Sequence, residues 1–226
     1  MTARRTLLAA LSGLGLMGCA HAGAYEDFFR AIEVDNGEAV AALLRRGFDP
    51  NTRNARRDPA LVVALHGESP KAAAALLQAR GLQVNARNGK GETALMMAAL
   101  RGNLPAARTL IARGADINQE GWAPLHYAAS CTTDDAAPMV ALLLEHHAYI
   151  DAASPNGTTP LMMAVRYGAS DAARLLVREG ADPMVKNERG LNALDFARQA
   201  GRDDMAELIQ TALRRRPQPP AQRGRW

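Results

Sequence analysis

The sequence predicts an all-α fold of about six stacked helix-turn-helix repeats, and three observations lead to it. Alanine accounts for 46 of the 226 residues and aromatic residues for only 4%, which favours close helix-on-helix packing over a sheet sandwich. The charged fraction of 22% is ordinary for folded domains and excludes global disorder. A hydrophobic pattern recurs about every 33 residues, and such a period is the signature of a stacked array.

Each repeat begins with a short helix marked by an apolar anchor. In the segment around Leu95, that residue, Ala98 and Ala99 form an i, i+3, i+4 stripe. Pro124 and Pro160 stand at helix starts, where the missing N–H has no cost. Anchors of this kind recur at Phe28, Leu61, Leu95, Leu125, Leu161 and Leu194, and glycines predicted to end first helices follow at Gly102, Gly168 and Gly201.

A second helix and a turn complete each repeat. Asn103 is placed to cap a second helix, and Gly114 supplies the left-handed residue after it. In the fourth repeat that place falls to His147, a residue type enriched at positive φ. Two departures from the period predict irregular regions: a truncated turn before Leu125 and a bulging acidic loop at Thr132–Pro138.

The repeats resemble a known family. Ala123–Ala129 reads APLHYAA and Thr159–Ala164 reads TPLMMA, both similar to the Thr-Pro-Leu-His-x-Ala-Ala string of ankyrin repeats. The resemblance covers about residues 25–213 and implies an ankyrin-repeat solenoid with β-turn fingers. Within a domain of residues 23–213, the repeats are expected at about 25–51, 52–85, 86–118, 119–151, 152–184 and 185–213.

The N-terminal 22 residues look like a secretion signal. Arg4-Arg5 precedes an uncharged, apolar run over residues 6–17, and Ala20-His21-Ala22 offers a cleavage site. Cleavage there would release a soluble periplasmic protein beginning at Gly23, which we favour. In the alternative, Leu16–Cys19 looks like a bacterial lipobox, and Cys19 would be lipidated and anchor the protein; secretion is a further possibility.

The positive net charge of +4 resides at the two ends of the chain. Residues 214–226 carry five arginines and no acid, whereas residues 23–213 sum to −3. We therefore expect no nucleic-acid partner. The Pro-rich, basic tail of residues 214–226 is predicted to be disordered. We expect it to keep the protein soluble; the alternative is that it contacts an anionic envelope surface.

Few residues offer catalytic or metal-binding chemistry. His126 resembles the family's structural histidine, and Cys131 is not on its helical face. His146-His147 suits a helix end and turn better than a metal site. We therefore predict no enzymatic activity, no cofactor and no metal. Two methionine pairs are expected in the core, with a copper site as the alternative: Met96-Met97 and Met162-Met163.

The family resemblance implies a concave binding groove made of finger tips and exposed ends of first helices. Arg101 and Arg166 are expected to be neighbours on adjacent repeats, and with Trp122 and Tyr167 they would form an Arg-and-aromatic patch suited to a hot spot. The full predicted protein-binding set is Arg56, Lys90, Glu92, Arg101, Trp122, Arg166, Tyr167 and Arg189.

These observations predict an exported, monomeric scaffold that binds another protein through this groove and thereby stabilises or inhibits it. A secreted effector that binds host proteins is the alternative. An enzyme or metal-handling protein is disfavoured. The Thr132–Pro138 loop and the tail are further candidate contact regions.

Overall fold

The computed structural model describes the backbone of residues 14–215 and the side chains of residues 23–214. Most of the predicted signal peptide, the Cys19 side chain and the tail after Arg215 lie outside the described residues. Within them the chain forms twelve helices and no β-strand, which confirms the all-α prediction. The helices are α1 Leu14–Glu33, α2 Gly37–Arg45, α3 Ala60–His66, α4 Pro70–Leu77, α5 Ala94–Leu100, α6 Leu104–Ala112, α7 Pro124–Ser130, α8 Ala136–Glu145, α9 Pro160–Arg166, α10 Ser170–Arg178, α11 Ala193–Gln199 and α12 Asp203–Arg215.

The helices form two compact units, so the predicted single domain of residues 23–213 is divided between them. Unit 1 ends at Gly89 and contains α1–α4; unit 2 begins at Lys90 and contains α5–α12. In unit 2 the first helices of successive repeats, α5, α7, α9 and α11, pack side by side in that order. Each also packs on the second helix of its own repeat, so first helices form one layer and second helices another.

The anchors and alanines of the repeat fill the core of each unit. Leu95, Leu125 and Leu161 are all buried, and Ala98 and Ala99 are fully so. These small residues let neighbouring helices approach closely. The cost of truncating such a leucine to alanine is about 2–5 kcal/mol, so the array depends on the predicted stripe.

The predicted helix ends are present. The Asn103 side chain accepts a hydrogen bond from the Ala106 N–H at 3.1 Å, as an N-cap should. Gly114 has a φ of 82° and His147 a φ of 65°, so the histidine takes the left-handed place of the glycine in the fourth repeat. Both predictions are confirmed.

The turn between the two helices of a repeat follows one rule with two exceptions. Seven residues after the anchor four repeats have a left-handed residue, whereas Thr132 in the fourth repeat and Gly168 in the fifth do not. A Cβ at Gly168 would collide with the Ala129 carbonyl oxygen of α7, so glycine is required there by close packing. The left-handed residues are Asp35 (52°), Glu68 (57°), Gly102 (67°) and Gly201 (66°).

The irregular regions are present, but one has different bounds. The finger before α7 is short, as predicted: the Gln119 amide donates to the Trp122 carbonyl at 2.6 Å, where longer fingers use a backbone bond such as Ser154 N–H to Thr158 O. The acidic loop covers residues 131–135 rather than Thr132–Pro138, because α8 begins at Ala136 and includes Pro138 in its first turn.

The two ends of the described chain extend beyond the predicted repeats. Helix α1 begins at Leu14, ahead of the first repeat's predicted start, and α12 continues through Arg214 and Arg215 into the predicted tail. None of the helices between Leu14 and Arg215 is long and apolar enough to cross a membrane.

Candidate functional site

A concave apolar pocket of about 270 Å³ opens on the first-helix layer of unit 2. Its wall carries an indole, a phenol, a thioether and a leucine side chain, with few polar atoms. Pockets of this kind, with a few directed polar groups, are the usual places where proteins bind ligands or partner side chains. The pocket is lined by Leu100, Trp122, His126, Tyr127, Ser130 and Met163.

The repeat register explains why these residues meet. Leu100 and Ser130 each lie five residues after the anchor of their repeat, at the ends of α5 and α7. Tyr127 and Met163 each lie two residues after the anchor, on α7 and α9. Because α5, α7 and α9 pack side by side, residues with equal places in the repeat form rows along the groove. The pocket lies at the fourth repeat, between the row two places after the anchor and the row five places after it.

Tyr127 is held in a fixed orientation at the pocket wall. Its hydroxyl donates to Glu92 Oε1 at 3.1 Å, across from the preceding repeat. Burial, with the Glu92 carboxylate as a second cause, raises the pKa of Tyr127 well above its ordinary value. The phenol is therefore neutral at physiological pH and contributes an apolar ring to the pocket.

Arg166 is the last residue of α9, one turn beyond the pocket residue Met163. Its guanidinium carbon is 5.1 Å from the centre of the Tyr167 ring and 5.6 Å from that of Phe196 on α11. Its Nη1 also donates to Gln199 Oε1 at 3.5 Å. Two aromatic rings thus orient a half-buried charged group whose other N–H groups make no hydrogen bond to the described residues.

The predicted proximity of Arg101 and Arg166 is wrong. Arg101 follows α5 in the third repeat, and Arg166 ends α9 in the fifth. Helix α7 packs between those two helices, so a complete repeat separates the two arginines. The actual neighbours of Arg166 are on its own helix and on the sixth repeat.

Comparisons with known proteins assign the fold. A family model described as "Ankyrin repeats (3 copies)" matches residues 28–120, 74–153, 114–187 and 131–213, which together span residues 28–213. The chain belongs to the ankyrin-repeat family. Ankyrin repeats are generally non-catalytic scaffolds that bind other proteins.

Curated relatives share ankyrin-like segments with this chain. The nuclear factor NF-kappa-B p105 subunit of Mus musculus is 36% identical over 48% of the chain, and the ARF GTPase-activating protein GIT1 of Homo sapiens is 47% identical over 24%. Transient receptor potential cation channel subfamily A member 1 of Homo sapiens is 29% identical over 69%. The matched segments cover only 11%, 7% and 15% of those relatives, respectively.

His126 has the structural role that the ankyrin motif predicts. Its Nδ1 accepts the Ala123 N–H at 3.1 Å, so Nε2 carries the proton and donates to the Thr158 carbonyl at 3.0 Å. The first bond closes the start of α7, and the second joins the fourth repeat to the fifth. Burial lowers the pKa of His126, which favours this neutral form. The Trp122 ring contacts the imidazole edge-on, with centroids 5.2 Å apart.

Methionines replace this histidine in two ankyrin repeats. Met96 Sδ accepts the Thr93 N–H at 3.4 Å, and Met162 Sδ accepts the Thr159 N–H at 3.4 Å. Met96, Met97 and Met162 are buried, as predicted for core residues. The prediction is wrong for Met163, which is half-buried because it faces the pocket. Met96 and Met162 reproduce the bond within the repeat, but a thioether has no proton to donate to the next repeat.

Cys131, His146 and His147 are the remaining residues considered above for catalysis or metal binding. Cys131 is buried, and its Sγ lies 3.2 Å from Thr133 Oγ1. His146 and His147 are exposed at the end of α8. Among the residues that the structure describes, no group of three or more His, Cys, Asp or Glu side chains is arranged to hold a metal ion.

The predicted protein-binding residues differ in exposure and position. Arg56 is exposed in unit 1. In unit 2, Tyr167 is 53% exposed and the others divide into two groups. Those exposed are Lys90, Arg101 and Arg189; those half-buried are Glu92, Trp122 and Arg166.

Sequence reasoning missed several residues of the groove. Leu100, Ser130 and Met163 line the pocket, and Phe196 supports Arg166. The register contained the signal, because comparing residues two and five places after each anchor would have identified all four. The prediction instead considered chiefly charged and aromatic residues near the fingers.

A second concavity, of about 540 Å³, lies in unit 1 between the second helices α2 and α4. Leu44, Phe48 and Ala75 form part of its wall, with Arg45 and Arg80 also lining it. The sequence did not predict it, because the family resemblance directs attention to the first helices. It provides an internal comparison for tests of the unit 2 pocket.

Proposed function

We propose that this chain is an exported bacterial ankyrin-repeat protein that binds another protein through the groove formed by α5, α7 and α9. The observation that supports this most strongly is the apolar pocket, which is followed on α9 by an arginine held over two aromatic rings. Trp, Tyr and Arg dominate interface hot spots. Here Trp122 and Tyr127 line the pocket, and Arg166 follows one turn after the pocket residue Met163 on α9. Binding at this groove would stabilise or inhibit the partner.

The proposal has a direct test because Ser130 offers a way to fill the pocket from within. Its hydroxyl donates to the His126 carbonyl at 2.8 Å, and its side chain is half-buried at the pocket wall. The Ser130→Phe variant should abolish crosslinked capture of partner protein from the native envelope fraction. Ala112→Phe, at an exposed site on α6, is the matched control and should leave capture unchanged.

Both variants should retain cooperative melting, so that a loss of capture can be assigned to the pocket. If Ser130→Phe captures as much partner as the parent chain, the binding surface is elsewhere. The concavity between α2 and α4, the loop at residues 131–135 and the C-terminal tail would then be examined in turn.

Export is the second part of the proposal. It is supported by Arg4-Arg5, the apolar run over residues 6–17 and the Ala20-His21-Ala22 site. Mass spectrometry of protein from cells should find Gly23 at the N-terminus. An acylated Cys19 would assign a lipoprotein instead, and an intact N-terminal signal would refute export.

A further inference from the structure

The groove of unit 2 contains two chemically different features, an apolar pocket and a cation, which follow one another along the order of the repeats. The apolar pocket is formed by side chains of the third, fourth and fifth repeats. The guanidinium of Arg166 lies at the junction of the fifth and sixth repeats, over the rings of Tyr167 and Phe196. A partner segment that follows the groove would therefore meet an apolar cavity first and a cation next.

Arg166 is available to a partner. Within residues 23–214 it has no carboxylate partner, and its one hydrogen bond to a side chain, that to Gln199, is long at 3.5 Å. Its orientation is nevertheless fixed by the two rings, so little side-chain entropy would be lost on binding. A guanidinium with several N–H donors that no described residue accepts is suited to a carboxylate.

Trp122, which lines the pocket, also carries a hydrogen-bond donor. The indole N–H of Trp122 donates to no acceptor among the described side chains and backbone groups, whereas its carbonyl accepts the Gln119 amide. The indole could donate to a carbonyl of an extended segment in the groove. The pocket wall itself offers apolar and aromatic surface, which suits a bulky apolar side chain.

The repeat geometry sets the spacing of the two groups on such a segment. Packed helices lie about 8–10 Å apart, so the pocket centre at α7 and the cation beyond α9 are separated by about 10–15 Å. An extended chain rises about 3.3 Å per residue, so three or four residues cover this distance.

The charge of unit 2 restricts the number of acids. Residues 90–213 contain eleven Lys and Arg against fifteen Asp and Glu, a net charge of −4. A segment with many acids would be repelled by the unit as a whole, whereas one carboxylate paired with Arg166 would gain a local contact. The groove should therefore distinguish a single acid from an acidic run.

We infer that the partner of this groove presents an extended segment with a bulky apolar side chain and, three or four residues away, a single Asp or Glu. The apolar side chain occupies the pocket of Leu100, Trp122, Tyr127 and Met163, and the carboxylate pairs with Arg166. This inference rests on the proposed function, since it specifies the partner's chemistry at the same site.

The test uses the full chain and a short fluorescein-labelled Gly/Ser peptide that carries Phe and, three residues later, Glu. Anisotropy should show saturable binding, and replacing Glu by Gln in the peptide should weaken binding about tenfold. The same peptide change should have no effect on the Arg166→Gln variant. Arg174→Gln, at an exposed site on α10, is the matched control and should behave as the parent chain does.

Trp122 reports occupancy of the pocket. The chain has only two tryptophans, so the Trp226→Phe variant leaves Trp122 as the single emitter. The Phe peptide should shift its emission, and a Phe→Ala peptide should not. Replacing the single Glu by three consecutive acids should bring no gain in affinity.

Three results would overturn the inference: no binding of the Phe–Glu peptide up to about 1 mM, about −4.1 kcal/mol in free energy; equal affinity for the Glu and Gln peptides; or unchanged Trp122 emission on binding. If the peptide fails while Ser130→Phe still abolishes partner capture, the inference fails and the proposed function stands. If capture also survives Ser130→Phe, both fail.

Discussion

Replacing His126 by methionine would measure how much one hydrogen bond between two repeats contributes to stability. The chain already uses methionine at this place in the third and fifth repeats, where Met96 and Met162 accept the N–H at the start of their helices. A methionine at position 126 can accept the Ala123 N–H in the same way. What it cannot do is donate to the Thr158 carbonyl, as the imidazole Nε2–H does.

The expected cost follows from the surroundings of that carbonyl. The Thr158 oxygen also accepts the Ser154 N–H at 3.0 Å, so the substitution leaves no buried acceptor without a partner. The loss is therefore that of one neutral hydrogen bond, about 0.5–1.5 kcal/mol. The edge contact of Trp122 with the imidazole is replaced by a sulfur–aromatic contact of similar size. For a chain of this length, about 1 kcal/mol corresponds to a melting temperature lower by about 2–4 °C.

The difference between parent and variant should depend on pH. Burial lowers the pKa of His126 in the folded state below its unfolded value of about 6.5. Below that pH the unfolded chain binds a proton that the folded chain does not, so the parent loses stability as the pH falls towards the folded-state pKa. The His126→Met variant lacks this group, and the gap between the two should narrow on acidification.

Melting curves of both proteins, followed by circular dichroism at about pH 7.5 and about pH 5.5, test the argument, with the unfolded pKa of about 6.5 between them. The other histidines are common to both proteins, so the difference reports His126 alone. A variant as stable as the parent at neutral pH would show that the bond to Thr158 adds nothing. A gap independent of pH would show that His126 titrates alike in the folded and unfolded chains.

Two further predictions concern contacts between the fifth repeat and its neighbours. Met162→His should raise stability by about 0.5–1.5 kcal/mol, because an imidazole there can donate to the Leu191 carbonyl, the equivalent of that of Thr158; an unchanged or lower melting temperature would contradict this. Gly168→Ala should lower stability by about 1–3 kcal/mol, because its Cβ would collide with the Ala129 carbonyl oxygen. Gly89→Ala, with open space around it, should stay within about 0.5 kcal/mol; equal melting of the two alanine variants would refute the packing argument.

Much of the fold could be predicted from the sequence because each structural position occurs once in every repeat and can be compared between repeats. The anchors at Leu95, Leu125 and Leu161 are buried where the period placed them. His147 adopts the left-handed conformation because its place in the repeat is that of Gly114. Both predictions used comparison between repeats, which compensates for weak local signals.

The errors arose where one repeat affects another. The expectation that Arg101 and Arg166 are neighbours ignored the intervening helix α7, although counting anchors would have revealed it. The requirement for glycine at position 168 depends on the Ala129 carbonyl of the preceding repeat and has no local signal. The acceptor role of Met96 was equally hidden, because methionine at a core position reads as packing alone.

The lengthened loop at residues 131–135 has a consequence for how such proteins can be rearranged. Its first residue, Cys131, offers a carbonyl that the Ala169 N–H binds at 2.9 Å, and the adjoining Gly168 has lost the left-handed turn found in most repeats. The insertion in the fourth repeat and the altered turn in the fifth thus fit each other. A designed array that reuses these repeats should therefore include the fourth and the fifth together, because either one alone would pack against a repeat with a different turn.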